Sequence, residues 1–410
     1  MTLPSSEPGR TPVNATAASD VADVCIVGAG LAGSSAASVL GRAGFRVALI
    51  DPRSACAPCF KAEKIEPDQA AMLRELGLFG AILPKARRIH VEATGRNGVI
   101  TSERVIEQYG IQYHDMVNAV RNEAETVANV IPGRVAAIHA SDDLQRVELS
   151  DGRFVSARLV ILACGSMGSK LHEQLDLPKR MVSEHHSMSY GFSIERSSGD
   201  PFEFEALTYA PRRLKQPIAY LTLFSQPDGM RANLFAYQPP TDPDVRSYLA
   251  DPIGEVNRRM PGLEALTGEV RLTSRVEAFS IDLYVTEKVE RPGLVLIGDA
   301  FQSVCSSTGT GLTKVLTDVD VLCRECLPVW LATPGMGAAK IRQFYGNARK
   351  REVDSHSLMS AMTMRRTALD PSLRFRIFRA RVYLSRWLQS FSRRTHQPGH
   401  EATHSQLLAQ

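Results

Sequence analysis

Residues 23–37 read Asp23-Val-Cys-Ile-Val-Gly28-Ala-Gly30-Leu-Ala-Gly33-Ser-Ser-Ala-Ala37, and this stretch decides the fold. Val24, Ile26 and Val27 are β-branched, as a buried parallel strand requires. Gly28, Gly30 and Gly33 then give G-x-G-x-x-G. The first glycine permits a sharp turn, the second admits a pyrophosphate to bare backbone, and the third lets the helix sit close on the strand. The helix start, at Leu31 and Ala32, offers free N–H groups and about half a positive charge to phosphates. Small residues carry this helix to about Gly44. A second strand, Arg46–Ile50, ends at Asp51, about 20 residues past the turn, where a carboxylate accepts a ribose hydroxyl. The unit reads as a dinucleotide-binding βαβ.

The 410 residues allow two or three domains, with an apolar content ordinary for a globular protein. A net charge of +4 is too weak to argue for nucleic acid. No apolar run reaches the roughly 18 residues of a membrane span. Residues 1–20 are rich in Ser, Pro, Thr and Ala and read as a disordered leader. Seven cysteines, an odd number, suit a reducing compartment and a cytoplasmic location. Cys56/Cys59 and Cys323/Cys326 each form C-x-x-C. Zinc would need the two pairs to converge from distant segments, and the second pair lies in a helical pattern where packing explains it. A redox role for Cys56/Cys59 stays open beside that of unreactive thiols.

Along the chain, Glu66–Leu78 reads as a capped helix, residues 86–106 as a hairpin and His114–Val127 as a helix. Short strands follow, and Leu159–Ala163 returns to the parallel sheet. Residues 180–285 alternate in strands (Ser187–Glu195, Ile218–Phe224, Arg231–Tyr237, Arg275–Tyr284), with one helix near Ile253–Leu266. Leu294–Ile297 is again a buried parallel strand, followed by Gly298-Asp299-Ala300, a loop, and a helix to about Trp330. The fold expected is α/β. A Rossmann-like nucleotide-binding domain with a parallel sheet (21–85, 107–179 and 286–337) is interleaved with a mostly antiparallel substrate domain (86–106 and 180–285). C-terminal helices (338–395) and a disordered tail (396–410) follow. In the basic C-terminal helix, Leu373, Ile377, Leu384, Leu388 and Phe391 share one face. That helix reads either as docked on the core with solvated arginines or as a contact for an acidic partner or membrane headgroups.

Three segments in this order resemble the flavoprotein monooxygenases of the p-hydroxybenzoate hydroxylase type. They are the G-x-G-x-x-G unit with Asp51, Lys61-Ala-Glu-Lys-Ile-Glu-Pro before a helix ending Leu-Arg-Glu-Leu-Gly-Leu, and Leu294-Val-Leu-Ile-Gly-Asp-Ala with Gly309-Thr-Gly311 and Asp318. The resemblance spans about 22–330 and implies FAD. Asp299 would bond the ribityl hydroxyls, and Gly309 and Gly311 would bring backbone N–H groups to the pyrimidine end of the ring. Lys61 would sit over phosphate or flavin, and Gln112 would make a further flavin contact. The family has Asp-Gly where this chain has Cys164-Gly165, so only Gly165 carries over. The family's proline pair after Gly-Asp-Ala is replaced by Phe301-Gln302-Ser303-Val304-Cys305-Ser306, which predicts a less rigid loop over the flavin.

The resemblance implies that NADH or NADPH reduces FAD, that oxygen adds at C4a, and that the hydroperoxide hands one oxygen atom to a small aromatic or hydrophobic substrate. No Ser/His/Asp triad or His/Glu metal cluster appears, and His185-His186 on a strand would point to opposite faces. No catalytic side chain is assigned. Tyr209, Tyr220, Phe224 and Tyr237 either line the substrate pocket or pack the core. A reductase, oxidase or halogenase relative of the same fold, and a non-catalytic FAD- or ligand-binding protein, are the alternatives. The halogenase Trp-x-Trp-x-Ile-Pro stretch is absent, since the only tryptophans are Trp330 and Trp387.

Overall fold

The computed structural model describes residues 21–381. Its first sheet runs in the order Asn129–Pro132, Val47–Asp51, Ala22–Val27, Phe154–Leu162. The first three junctions are parallel. Beyond Phe154–Leu162, two neighbours share one edge. Its first half pairs antiparallel with the hairpin strand Gln145–Leu149, and its second half pairs parallel with Leu294–Leu296. One face is covered by the helices Leu31–Arg42, Tyr113–Val127 and Gly311–Asp320. Cys25, Val27, Ile50, Val160 and Leu162 bury the other face under the hairpin. Each such side chain contributes roughly 1.5–3 kcal/mol by leaving water.

The glycine turn is built as its spacing implies. Gly28 has φ +105°, and a Cβ there would lie 2.7 Å from the Ala163 carbonyl oxygen. A Cβ on Gly33 would overlap the Gly28 carbonyl oxygen. Helix and strand therefore approach as closely as bare backbone allows. Gly30 differs, because a Cβ there would meet nothing within 4 Å.

The second sheet is mostly antiparallel, in the order Val270–Leu272, Lys179–Arg196, Gly229–Ala236, Ile218–Gln226, Ala206–Tyr209, Arg87–Arg96, Val99–Gly110, Lys64–Ile65, with Glu277–Thr286 also on Lys179–Arg196. Only the junction of Ala206–Tyr209 with Arg87–Arg96 is parallel. Alternation sorts its faces. Met188, Tyr190, Phe192, Leu221, Leu223, Ala232 and Leu234 pack under the short helices of residues 243–267. Ser187, Ser189, Gly191, Arg231 and Asn233 face the first domain.

The interleaved α/β architecture matches the expectation, with local differences. Phe154–Leu162 is one strand, because polar Ser156 and Arg158 sit where the sheet is half-covered. Strand Val99–Gly110 runs past residue 106, and Lys64–Ile65 pairs with its end, so both join the antiparallel sheet. The single helix expected near 253–266 is three: Pro243–Ala250, Pro252–Arg259 and Glu264–Thr267. Asp242 and Asp251 cap the first two, each before a proline at the first helical position. The leader, the tail and Leu384, Leu388 and Phe391 lie outside the described residues.

Gly33→Ala is expected to destabilise the chain by about 1–3 kcal/mol through forced separation of helix and strand. Urea unfolding of the apoprotein measures this.

Candidate FAD-binding and active site

The carboxyl ends of strands 22–27, 154–162 and 294–296 open onto one side of the first sheet, where ligands bind in open α/β sheets. Three glycines there border empty space. Cβ atoms on Gly30, Gly165 and Gly309 would each meet nothing within 4 Å. Gly165 and Gly309 also have positive φ, +64° and +67°. A cradle of bare backbone at the starts of helices Leu31–Arg42 and Gly311–Asp320 fits a dinucleotide.

The distant motifs meet around this crevice. Ala32 touches the turn after strand 294–296, for a Cβ on Gly298 would lie 3.3 Å from its methyl group. The Lys61 ammonium lies 3.4 Å from the Asp299 carboxylate, although 238 residues separate them. Asp299 holds Lys61 charged well above the ordinary lysine range, against the effect of burial. Both side chains keep solvent exposure, 45% and 31%, so polar ligand groups can reach them. Tyr284 donates from its hydroxyl to the Asp299 carbonyl, 2.7 Å, and so fixes the turn.

Asp51 does more than a ribose acceptor needs. One carboxylate oxygen accepts the Ala29 N–H and the other the Arg53 N–H, each at 2.9 Å. It therefore braces the glycine turn. Gln112 caps the start of helix Tyr113–Val127 and donates to the Gln226 side chain at 2.8 Å, tying that helix to the second sheet. Gly311 packs near Val304, 3.1 Å from an ideal Cβ.

The loop just after residues 301–306 is held by hydrogen bonds. Tyr220 donates to the Ser307 carbonyl at 2.7 Å, and Tyr237 lies 3.3 Å from the Ser307 hydroxyl. Gln69 donates to the Gly309 carbonyl at 2.9 Å, and the Thr310 and Ser357 hydroxyls are 2.7 Å apart. Side-chain bonds from three elements thus hold Ser307, Gly309 and Thr310. Of the four aromatic candidates, Tyr220 and Tyr237 face this loop. Tyr209 packs on the far side of the sheet, and Phe224 packs with Ile89 and Ala206.

Two charge clusters could not be assigned from sequence, because their members lie far apart in it. In the first, Lys314 and Lys350 interleave with Asp318 and Asp354, with contacts of 2.7–3.2 Å. The same Asp318 accepts the Gly298 N–H at 2.8 Å, so the cluster positions the Gly298–Asp299 turn. Burial opposes the Asp318 charge, but Lys314 and Lys350 outweigh it and hold the carboxyl below the ordinary aspartate range. In the second, fully buried Glu63 receives two bonds from Arg231, 2.8 and 3.0 Å, and Arg231 also reaches Glu277 at 2.7 Å. Two carboxylates share one cation, and burial pushes Glu63 up to about 7 despite Arg231.

The two C-x-x-C pairs stay apart in character. Cys56 and Cys59 are free thiols with sulfurs 3.9 Å apart, and burial, with Cys56 beside it, pushes Cys59 up to about 11. Cys323 and Cys326 pack in the helical core. Among the described residues no group of three or more His, Cys, Asp or Glu is arranged to hold a metal. His185 is half-buried beside Asp282, while His186 is buried against Tyr237.

Residues 21–199 match the family model described as FAD binding domain. The solved structure of p-nitrophenol 4-monooxygenase from Pseudomonas putida DLL-E4 superposes with a TM-score of 0.71 at 16% identity, over 91% of this chain and 94% of that one. The chain is 26% identical to squalene monooxygenase of Rattus norvegicus over 375 residues, 86% of this chain but 63% of that protein. It is 23% identical to 3-demethoxyubiquinol 3-hydroxylase of Escherichia coli over 354 residues, 79% of this chain and 86% of that one. The sequence thus matches an FAD binding domain over residues 21–199, and the fold over nearly the whole chain is that of p-nitrophenol 4-monooxygenase.

The depressed Asp318 carboxyl contributes stability above the unfolded aspartate value of about 3.9. That contribution is lost as pH falls below it, through the lower folded value. Melting temperatures between neutral and strongly acid pH should fall more steeply for the wild type than for Asp318→Asn. At neutral pH that variant should be about 3–5 kcal/mol less stable, since two buried ammonium groups lose their shared partner.

Proposed function

We propose that this protein is an FAD-dependent monooxygenase that uses NADH or NADPH and acts on a small aromatic or hydrophobic substrate. One observation carries the reading. Gly30, Gly165 and Gly309 each leave open space beside bare backbone, and Tyr220 and Tyr237 of the second sheet bond Ser307 in the loop that carries Gly309. In this reading the N–H groups at Gly30, Leu31 and Ala32 hold the FAD pyrophosphate. Asp51 retains free lone pairs for a ribose hydroxyl, and Asp299 and Lys61 bond the ribityl chain. The backbone at Gly309 and Gly311 meets the ring, and Gly165 and Gln112 border it. Bound FAD supplies the activation of oxygen.

The chain's own residues orient the substrate and exclude water. Phe60 and Phe279 stack edge to face at 5.3 Å, an apolar boundary beside Lys61. The Ser189 hydroxyl is buried with no hydrogen-bond partner among the described residues, and the His186 imidazole is buried beside Tyr237 and the Ala361 backbone. Burial, and then Arg365, push the His186 imidazole down to about 4, so it is neutral at physiological pH. These two groups suit a substrate that is largely apolar with one hydroxyl or carbonyl. The two substrates named for the curated relatives, squalene and a demethoxyubiquinol, are apolar over most of their surface. All seven cysteines are free thiols, which agrees with a cytoplasmic location.

The purified protein is expected to be yellow and to bleach when NADH or NADPH is added without oxygen. With oxygen-18 and a panel of phenols and prenylated quinols, one labelled atom should appear in the product. Bleaching followed by alkene reduction without oxygen would replace this reading with a reductase, and a colourless protein that binds no FAD would remove it.

A further inference from the structure

The last described helix is moored by the wrong face for a segment packed on a core. Leu373, Ile377 and Ala380 share one stripe by their spacing, and this stripe points to solvent. Leu373 is 67% exposed, Ile377 47% and neighbouring Phe378 42%. The opposite side carries the anchor. Arg379 is buried and donates to the carbonyls of Thr367 and Asp370 at 3.0 and 2.8 Å. The expectation of an apolar face docked on the core therefore fails over 373–381: the apolar stripe is outside and one arginine is inside.

The stripe is framed by positive charge. Residues 355–381 contain six arginines (365, 366, 374, 376, 379, 381) and one carboxylate, Asp370. Arg366, Arg374, Arg376 and Arg381 are exposed. In sequence the same spacing continues through Leu384, Leu388 and Phe391, with Arg386, Arg393 and Arg394 and no acidic residue before 395. No described helix is long and apolar enough to cross a membrane. An outward apolar stripe bordered by arginines instead fits the boundary between headgroups and acyl chains.

We propose that this face docks the protein on an anionic lipid bilayer, apolar stripe inserted and arginines at the headgroups. A second copy is a poor occupant, because an isologous pairing would set each arginine-rich rim against its duplicate. The surface is also connected to the site. Helix Ala348–Leu369 bonds the flavin-side loop through Ser357 and ends beside the stripe, roughly 18 Å along its axis. A hydrophobic compound dissolved in the bilayer would thus lie near the crevice. Docking itself does not depend on the reaction proposed above.

The test is sedimentation of the full-length chain with vesicles of phosphatidylcholine alone or mixed with phosphatidylglycerol. Four exposed arginines should give roughly a thousandfold preference for the anionic vesicles. The preference should weaken as salt rises from about 0.05 to 0.5 M. The double variant Leu373→Glu/Ile377→Glu should lose binding while keeping its melting temperature, since both side chains are exposed. Equal binding to both vesicles, or undiminished binding by the double variant, would overturn the proposal. So would light scattering that shows a dimer abolished by the same substitutions in a protein that ignores vesicles.

Discussion

The structure depends on how closely bare backbone packs at the carboxyl edge of the parallel sheet. Gly33 sits against the Gly28 carbonyl and Gly28 against the Ala163 carbonyl, with no room for a Cβ at either place. This contact brings the start of helix Leu31–Arg42 down onto the sheet. Ala32 then reaches the Gly298 turn, and Gly30, Gly165 and Gly309 each keep an open side. Tight glycines make the geometry, and open glycines leave the space that the geometry encloses.

Charge holds the second half of the crevice. The Gly298–Asp299 turn lacks a proline brace and is fixed from behind by Asp318, which is itself kept ionised by Lys314 and Lys350. Lys350 belongs to helix Ala348–Leu369, whose Ser357 also bonds the Thr310 hydroxyl. One helix, Ala348–Leu369, thus supports both the Gly298–Asp299 turn and the loop at Thr310. Buried ion pairs of this kind add little net stability over an apolar core but penalise strongly any arrangement that separates them. Here that penalty specifies where the turn must sit.

The first sheet and its glycine turn were legible in sequence because their signals are local. Strand, turn, helix and strand follow one another within 30 residues, each with its own chemistry. Asp299, Lys61 and Gly309 were expected only by resemblance, and the contact of Lys61 with Asp299 is a matter of tertiary folding. The Glu63–Arg231–Glu277 cluster left no trace, since an ion pair between positions 168 residues apart has no periodicity. The bonds that hold the loop at Ser307 and Gly309 left no trace either, because their partners Tyr220, Tyr237 and Gln69 lie far off in sequence. The outward stripe of 373–381 had a visible pattern, but amphipathicity alone does not say which face meets the protein.

The central claim is that the open backbone at Gly30 receives the pyrophosphate of FAD. The direct measurement is an equilibrium titration of apoprotein with FAD, wild type against Gly30→Val, followed by quenching of flavin fluorescence. A Cβ at this position meets no protein atom, so the variant should keep the wild-type melting temperature while binding FAD at least about tenfold more weakly, a loss of about 1.4 kcal/mol. Unchanged FAD affinity in a stably folded variant would contradict the account.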